Sequence, residues 1–179
     1  VTIARQEEYL ALQRLTRTRY EITSSLARAK QHFIEALYYR LNKLVTVDKE
    51  NIKTSIFGAT MLSIVTDSKT IDEITEMPIE DLIDYLQTKG RGRFSDPEAL
   101  AKAIRKAVRG SYRLGKVMKD SIDAVLSVYY TEIKTNQKLI KNLDKAITDI
   151  VQALPEERIL QSIPGIGPVY SAGIIAEIG

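Results

Sequence analysis

The sequence predicts an all-α protein in which two long helices form an antiparallel coiled-coil hairpin. Over residues 1–45 and 111–154, apolar residues recur three or four positions apart, which is the periodicity of an amphipathic helix. Between these segments, over 46–110, prolines, glycines and capping residues indicate a small inserted helical subdomain. After the second long segment, over 155–179, a Pro-Gly-Ile-Gly turn between two helical stretches predicts a helix-hairpin-helix.

The first long helix is predicted by a stretch from Thr2 to Val45 that contains no glycine and no proline. An unbroken helix of this length would extend about 60 Å at about 1.5 Å per residue. Its apolar positions are spaced by three, four or their sums and are Leu12, Leu15, Ile22, Leu26, Ala29, Phe33, Leu37, Leu41 and Leu44. Basic side chains dominate its other faces.

Short helices are predicted over the inserted subdomain. Asp96 followed by Pro97 is the clearest start signal, because a capping side chain and a first-turn proline stand side by side. The spacing of Phe57, Met61 and Ile64 favours a helix over a strand across Ile56–Val65. The other expected boundaries are a cap at Asp48 with a helix end near Gly58, a cap at Thr70 for Ile71–Glu76, Pro78 before a helix from Ile79 to about Thr88, a flexible loop over 90–93 and a helix end at Gly110.

The second long helix carries a heptad pattern over its second half. The seam positions alternate three and four apart and are Ile133, Asn136, Ile140, Leu143, Ile147, Ile150 and Leu154, of which Asn136 alone is polar. A seam of this kind pairs with another helix. The pattern leaves open whether the two long helices pair within one chain or join two copies into a homo-oligomer.

Charge is segregated along the chain although the net charge is only +3. Seven acidic residues and one basic residue lie between Asp67 and Asp84, whereas ten basic and two acidic residues lie between Lys89 and Lys119. Such blocks favour a surface that binds a polyanion, and the alternative is two solvated helix faces. The candidate nucleic-acid-binding residues in the basic block are Arg91, Arg93, Arg105, Lys106, Arg109 and Arg113.

Composition excludes several classes of site. The chain has no cysteine, which rules out disulfides and thiolate metal ligands and agrees with a cytoplasmic location. No apolar run reaches the roughly 20 residues of a membrane span, so no membrane partner is expected. The single histidine, His32, lacks further metal ligands at suitable spacing, and no serine has a histidine partner. We therefore predict neither a catalytic residue nor a metal site in this chain.

The C-terminal run contains the most specific motif. Pro155 can begin a short helix that leads into Pro164-Gly165-Ile166-Gly167, after which a second helix follows. The two glycines permit a tight turn and close approach of a ligand, and Ile166 can fill the gap between the helices. Amide groups at the start of the second helix can then face a phosphate, so Gly165, Ile166 and Gly167 are candidate contacts to a nucleic-acid backbone. The alternative is a corner that serves packing alone.

Two tyrosine pairs lie on the long helices. In Tyr38-Tyr39 and in Tyr129-Tyr130, one ring is expected to face the seam and the other to point outward. The outward ring can stack on an unpaired base, or it can pack against the protein.

Several phrases together resemble a known family. Ser162–Pro168 followed by Ala176–Gly179 resembles the start of the C-terminal domain of insertion-sequence transposases of the RuvC-like DEDD family related to pilin-gene invertases. The rest of the chain is similar to the coiled-coil segment of that family through Leu12–Tyr20, Leu26–Lys30, Phe57–Thr60, Ile79–Leu86 and Gly92–Phe94. The resemblance spans the chain in order.

The resemblance implies a DNA-transposing recombinase with three parts. A RuvC-like domain with four metal-binding acids, which would hold Mg²⁺, precedes the coiled coil, and the C-terminal domain carries a nucleophilic serine. Because the chain begins at Val1 without a methionine and stops at Gly179 after an apolar run, we expect a segment of such a protein that contains none of its catalytic residues and no cofactor. Its expected partners are DNA, a structured guide RNA and a second copy of the protein.

Two other functions fit the same sequence. The helix-hairpin-helix could belong to a DNA-binding module of a repair or processing protein. The two long helices could also form a coiled-coil scaffold that touches no nucleic acid.

Overall fold

The computed structural model describes residues 7–46 and 55–178, and all of its regular secondary structure over these residues is helical. The prediction of an all-α protein is therefore confirmed. The predicted cap at Asp48 lies outside the described residues. The helices are α1 (Glu7–Thr46), α2 (Ala59–Thr66), α3 (Ser68–Glu76), α4 (Ile79–Gly90), α5 (Pro97–Gly110), α6 (Lys116–Val151), α7 (Pro155–Gln161) and α8 (Pro168–Ile178).

The chain divides into two compact units. Unit 1 combines residues 1–28 with 132–179, and unit 2 comprises residues 29–131. Both long helices contribute to both units, because the boundaries fall inside α1 and inside α6. No helix over the described residues is both long enough and apolar enough to cross a membrane.

Unit 1 is built around a small apolar core. Tyr9, Leu15, Ile150 and Leu160 are partly buried against it. The core itself consists of Leu12, Ile147, Val151, Leu154, Ala172, Ile175 and Ala176. Since three of these residues lie on α8, burial of its apolar face holds the last helix, and Glu177 of the same helix also forms an ion pair with Arg17 at 3.1 Å.

Polar contacts link α1 and α6 within unit 1. Arg19 forms an ion pair with Asp144, and Ser25 donates a hydrogen bond to Glu132 at 3.4 Å. Asn136, the polar position of the predicted seam, is buried and lies 3.5 Å from the hydroxyl of Ser25. Residues later in α1 thus contact residues earlier in α6, and the seam asparagine has a partner, as a buried amide requires.

Unit 2 draws its buried apolar residues from every helix that enters it. The buried set includes Phe33 and Leu37 of α1, Met61 and Leu62 of α2, Ile71 and Ile74 of α3, Leu82 and Leu86 of α4, Leu100 and Ile104 of α5, and Leu126 of α6. Phe57, in the turn before α2, lies 6.1 Å from the Phe33 ring. The short helices α2–α5 therefore share one apolar core with the parts of α1 and α6 that belong to unit 2.

The prediction of an unbroken first helix is wrong at Leu41, where the backbone leaves the helical region with φ −141° and ψ 59°. The N–H of Lys43 donates instead to the hydroxyl of Ser111 at 3.3 Å. The side chain of the buried Asn42 accepts a hydrogen bond from the N–H of Tyr112 at 3.1 Å. Groups from the segment after α5 thus replace helical hydrogen bonds, a recognised cause of kinks.

The same contacts correct the predicted start of the second long helix. Residues 111–115 are not helical, and α6 begins at Lys116 rather than at Ser111. Its C-terminal end comes at Val151, and the residues up to Leu154 form a turn in which the N–H of Leu154 bonds to the carbonyl of Val151.

Three other boundaries follow local capping. Helix α2 begins at Ala59 and not at Ile56, because residues 55–58 form a turn in which the carbonyl of Ser55 accepts a hydrogen bond from the N–H of Gly58. Helix α3 begins before Thr70, since the carbonyl of Asp67 already accepts the N–H of Ile71. The predicted start of α5 is confirmed, with the Asp96 carboxylate accepting the N–H of Ala99 at 2.8 Å.

Candidate nucleic-acid interface

The C-terminal motif forms two short helices joined by a tight turn. Helix α7 ends at Gln161, the turn contains Pro164, Gly165, Ile166 and Gly167, and α8 begins at Pro168. Gly165 has φ +90°, a left-handed conformation that side chains rarely adopt, so a glycine is required there. Gly167 has no such angle, and a Cβ atom at this position would meet no other atom within 4 Å.

The turn is accessible from solvent. Pro164 and Gly165 are exposed and Ile166 is half-buried. The carbonyl of Gly167 accepts the first helical hydrogen bond of α8, from Ser171 at 2.9 Å. The N–H groups of the first turn of a helix have no partner within the helix and carry the positive end of its dipole. The predicted contact through Gly165, Ile166 and Gly167 is therefore sterically open.

The end of α4 has an unusual backbone. Arg91 adopts the left-handed conformation with φ 50° and ψ 44°, and Gly92 follows with φ 68°. The N–H of Gly92 bonds to the carbonyl of Gln87, and that of Arg91 to the carbonyl of Thr88, which is the Schellman pattern of helix termination. Over the described residues, Arg91 is the single non-glycine residue with a positive φ. The flexible loop predicted over 90–93 is thus an ordered cap.

Gly90 and Phe94 fix the course of this loop. A Cβ atom on Gly90 would lie 2.5 Å from the ring of Phe94, so the absence of a side chain at Gly90 lets that ring pack against the helix end. The loop that carries Arg91 and Arg93 therefore turns back onto its own helix.

A hollow of about 410 Å³, the basic hollow, opens beside this cap. Its lining comprises Ala59, Thr60, Ser63, Lys89, Gly90, Arg91, Arg93 and Tyr130, with no acidic residue among those that the structure describes. Thr60 donates a hydrogen bond to the carbonyl of Lys89 at 3.4 Å, which ties α2 to the end of α4. Three exposed basic side chains thus surround a concave surface that also offers hydroxyls and one aromatic ring.

Two of the predicted contact residues serve the protein itself. Arg105 donates to the carbonyl of Met77, and Arg109 donates to the carbonyl of Thr75 at 2.8 and 3.2 Å. These carbonyls lie at the C-terminal end of α3, where a cation also complements the helix dipole. Arg105 is half-buried and Arg109 is exposed, so Arg105 is the less accessible of the two to a phosphate.

The remaining predicted residues of the basic block are exposed. Arg91, Arg93, Lys106 and Arg113 have no ion pair or hydrogen bond from their side chains to any residue that the structure describes. The sequence named Lys89 in the basic block and Tyr130 as one of a pair that offers an outward ring, but it did not bring them together in one hollow, and it gave no role to Thr60 there. The position of Lys89 directly before Gly90 was a usable signal for it, whereas Thr60 comes from a different helix.

In a second concave surface of unit 2, two of the basic side chains are paired with acids. Its lining includes Arg40, Asp72, Arg109, Arg113 and Lys119. Arg40 bonds to Asp72 at 2.9 Å and to Asp123 at 3.1 Å, and Lys119 also contacts Asp72. Although partial burial raises the pKa of Asp72, the hydrogen bonds from Lys119 and Arg40 outweigh it and lower that pKa overall.

The histidine considered as a metal ligand makes contacts within the protein. His32 bonds to Glu35 at 3.1 Å, and its ring stacks on that of Tyr129 with centroids 5.4 Å apart. Over the residues that the structure describes, no group of three or more histidine, cysteine or acidic side chains could hold a metal ion.

Comparisons of the chain with models of protein families, with curated proteins and with solved structures find no match.

Proposed function

We propose that this chain is the coiled-coil region, with the start of the C-terminal domain, of an insertion-sequence transposase, and that it binds nucleic acid within that protein. The carrying observation is the set of exposed basic side chains between the end of α4 and the start of α6, namely Arg91, Arg93, Lys106 and Arg113. Exposed cations without protein partners can release counterions from a polyanion without first breaking an internal contact.

In this proposal the long helices form an antiparallel coiled coil and bring two copies of the protein together. The burial of Asn136 in a heptad seam and the ion pair between Arg19 and Asp144 support pairing of the two long helices within one chain. DNA is the main partner of the chain and a structured guide RNA the second. Catalysis and Mg²⁺ belong to the other domains of the transposase, and the protein acts in the cytoplasm.

The turn between α7 and α8 supplies a second, smaller contact. Backbone N–H groups bind phosphate without displacing many counterions, so this contact should tolerate salt better than the basic block. Gly165 is irreplaceable for the turn itself, whereas Gly167 can be changed to alanine to place a methyl group in front of an incoming phosphate.

The salt dependence of binding tests the proposal. Fluorescence anisotropy with a labelled duplex should give a plot of log K against log salt with a steep negative slope. Changing Arg93, Lys106 and Arg113 together to glutamate should weaken binding and flatten that slope by about 0.9 for each phosphate that is no longer neutralised. Arg105 and Arg109 are left intact because reversing them would also disturb α3.

Lys138→Glu provides a control for position, since it reverses one exposed charge on α6 in unit 1, away from the basic block. It should leave the slope close to that of the unchanged protein. If the triple variant binds like this control, the basic block is a solvated face and takes no part in binding.

The scaffold without nucleic acid is a second candidate, and one observation favours it. Several cations of the basic block are paired with the protein: Arg105, Arg109, Lys102 with Glu98, and Lys119 with Asp72. Absence of binding to duplex and single strands at low salt would establish this alternative. A repair or processing module shares the α7–α8 hairpin, and the full reading frame around this segment distinguishes it from a transposase.

A further inference from the structure

The basic hollow combines two features that a duplex contact does not need. The first is its concave form, whose volume of about 410 Å³ lies in the lower part of the range of about 300–1,000 Å³ that small-molecule pockets occupy. The second is Tyr130, a half-buried aromatic residue that lines the hollow together with Lys89, Arg91 and Arg93 and with the hydroxyl-bearing Thr60 and Ser63.

Tyr129 packs against the protein, whereas Tyr130 points in a different direction. The Tyr129 ring stacks on His32 at 5.4 Å and an interplanar angle of 25°. Successive residues of an α-helix point about 100° apart, because a turn takes about 3.6 residues. Tyr130 therefore faces away from that stack and toward the hollow formed by α2 and the end of α4.

The backbone at Arg91 adds an independent observation. A Schellman cap favours glycine at its left-handed position, because a side chain there is strained. Arginine occupies that position here, and its side chain lines the hollow. The presence of a strained residue with a long basic side chain at a concave surface supports a binding role for that side chain.

We propose that the basic hollow binds one unpaired nucleotide of a single strand, with its phosphate beside Arg91, Arg93 and Lys89 and its base against the Tyr130 ring. This inference rests on the proposed nucleic-acid binding and specifies the ligand at this part of the surface. An unpaired base presents a free π-face to an aromatic side chain. A base inside a duplex is stacked on both faces and would have to leave the helix first.

Binding of oligothymidine, oligouridine and a duplex of the same length to the 179-residue chain tests the inference. Tyr130→Leu should weaken binding of both single strands by about 5- to 160-fold, the range that removal of one stacking ring gives. Tyr130→Phe keeps the ring and should bind like the unchanged protein. Duplex binding should be the same for all three proteins.

Arg91→Gly separates binding from folding. Glycine is the residue that the cap favours, so the free energy of unfolding should stay the same or rise while single-strand affinity falls. The salt slope for single strands should flatten by about 0.7. Lys138→Gln, which removes an exposed charge in unit 1, is the matched control and should leave both quantities unchanged.

The outcomes distinguish this inference from the broader proposal. If the unchanged protein binds neither single strands nor duplex, both fail. If it binds them but Arg91→Gly and Tyr130→Leu bind equally well, the hollow takes no nucleotide and only this inference fails. An equal reduction of duplex and single-strand binding in Tyr130→Leu, or a reduction in Tyr130→Phe as large as in Tyr130→Leu, also overturns it.

Discussion

Arginine side chains in unit 2 have two different roles, and the position of each residue relative to a helix end determines which role it has. Arg105 and Arg109 lie on α5 opposite the open end of α3, and their guanidinium groups are used to bond its last carbonyls. Arg91 and Arg93 lie beyond the end of α4, in a left-handed cap where both side chains are exposed. The same type of side chain therefore stabilises the end of α3 in Arg105 and Arg109, whereas in Arg91 and Arg93 it is exposed and available to a ligand.

Asp72 gives a prediction for the pH dependence of stability. Its pKa is lowered in the folded protein, so its ion pairs contribute stability that is present above the pKa of the unfolded carboxyl group and lost as pH falls through the folded value. Since an unperturbed aspartate has a pKa of about 3.9, the decline should begin below about pH 5. Urea unfolding of Asp72→Asn should show a weaker dependence on pH than the unchanged protein over this acidic range.

Half of the Asp72 side chain is exposed, so solvent screens these pairs and the effect should be modest. In the variant the asparagine oxygen can still accept from one of the two cations, and Arg40 also keeps its hydrogen bond to Asp123 at 3.1 Å. An identical pH dependence in the two proteins would show that Asp72 contributes nothing through its charge.

At the scale of residues, the sequence predicted the helix starts at Pro78 and Asp96 but not the contacts that Arg105 and Arg109 make. Asp96 and Pro78 mark helix starts through local geometry alone, and both helices begin where these residues predict. The use of Arg105 and Arg109 depended on where α3 ends in space, about thirty positions earlier in the chain. No local pattern carries that information.

At the scale of elements, the two long helices differ from their predicted form because of contacts made elsewhere. The heptad of α6 predicts its buried face, and Ile133, Asn136 and Ile147 are all buried. The kink at Leu41 could not be predicted, since residues 41–44 continue the apolar spacing without a glycine or proline. It depends on Asn42 and Lys43 meeting Tyr112 and Ser111, roughly seventy positions away.

The seam of α6 in unit 1 should be unequal along its length. Ile147 is fully buried in the core, whereas Leu143 is half-buried, although the heptad treats them alike. Ile147→Ala should therefore lower the free energy of unfolding by about 2–5 kcal/mol and Leu143→Ala by clearly less. Chemical denaturation of the two single variants measures the difference, and equal reductions would contradict the assigned burial.

At the scale of the whole molecule, the compact units do not follow the linear order of the chain. Each unit takes part of α1 and part of α6, and the short helices α2–α5 belong to unit 2 while α7 and α8 belong to unit 1. The two candidate contacts with nucleic acid therefore lie on different units. The basic block between Lys89 and Lys119 was visible in the sequence as a charge pattern, but the hollow within it was not, since it needs Thr60 of α2 and Tyr130 of α6.

Cross-linking of a bound strand tests the central claim most directly, because it reports the place of contact on the unchanged protein. A photoreactive single strand bound to the full 179-residue chain, irradiated and digested, should give adducts on peptides that contain residues 89–94 and Tyr130 of unit 2. Excess unlabelled strand should suppress these adducts. Adducts confined to unit 1, or no adduct while anisotropy shows the strand to be bound, would contradict the assignment of the interface.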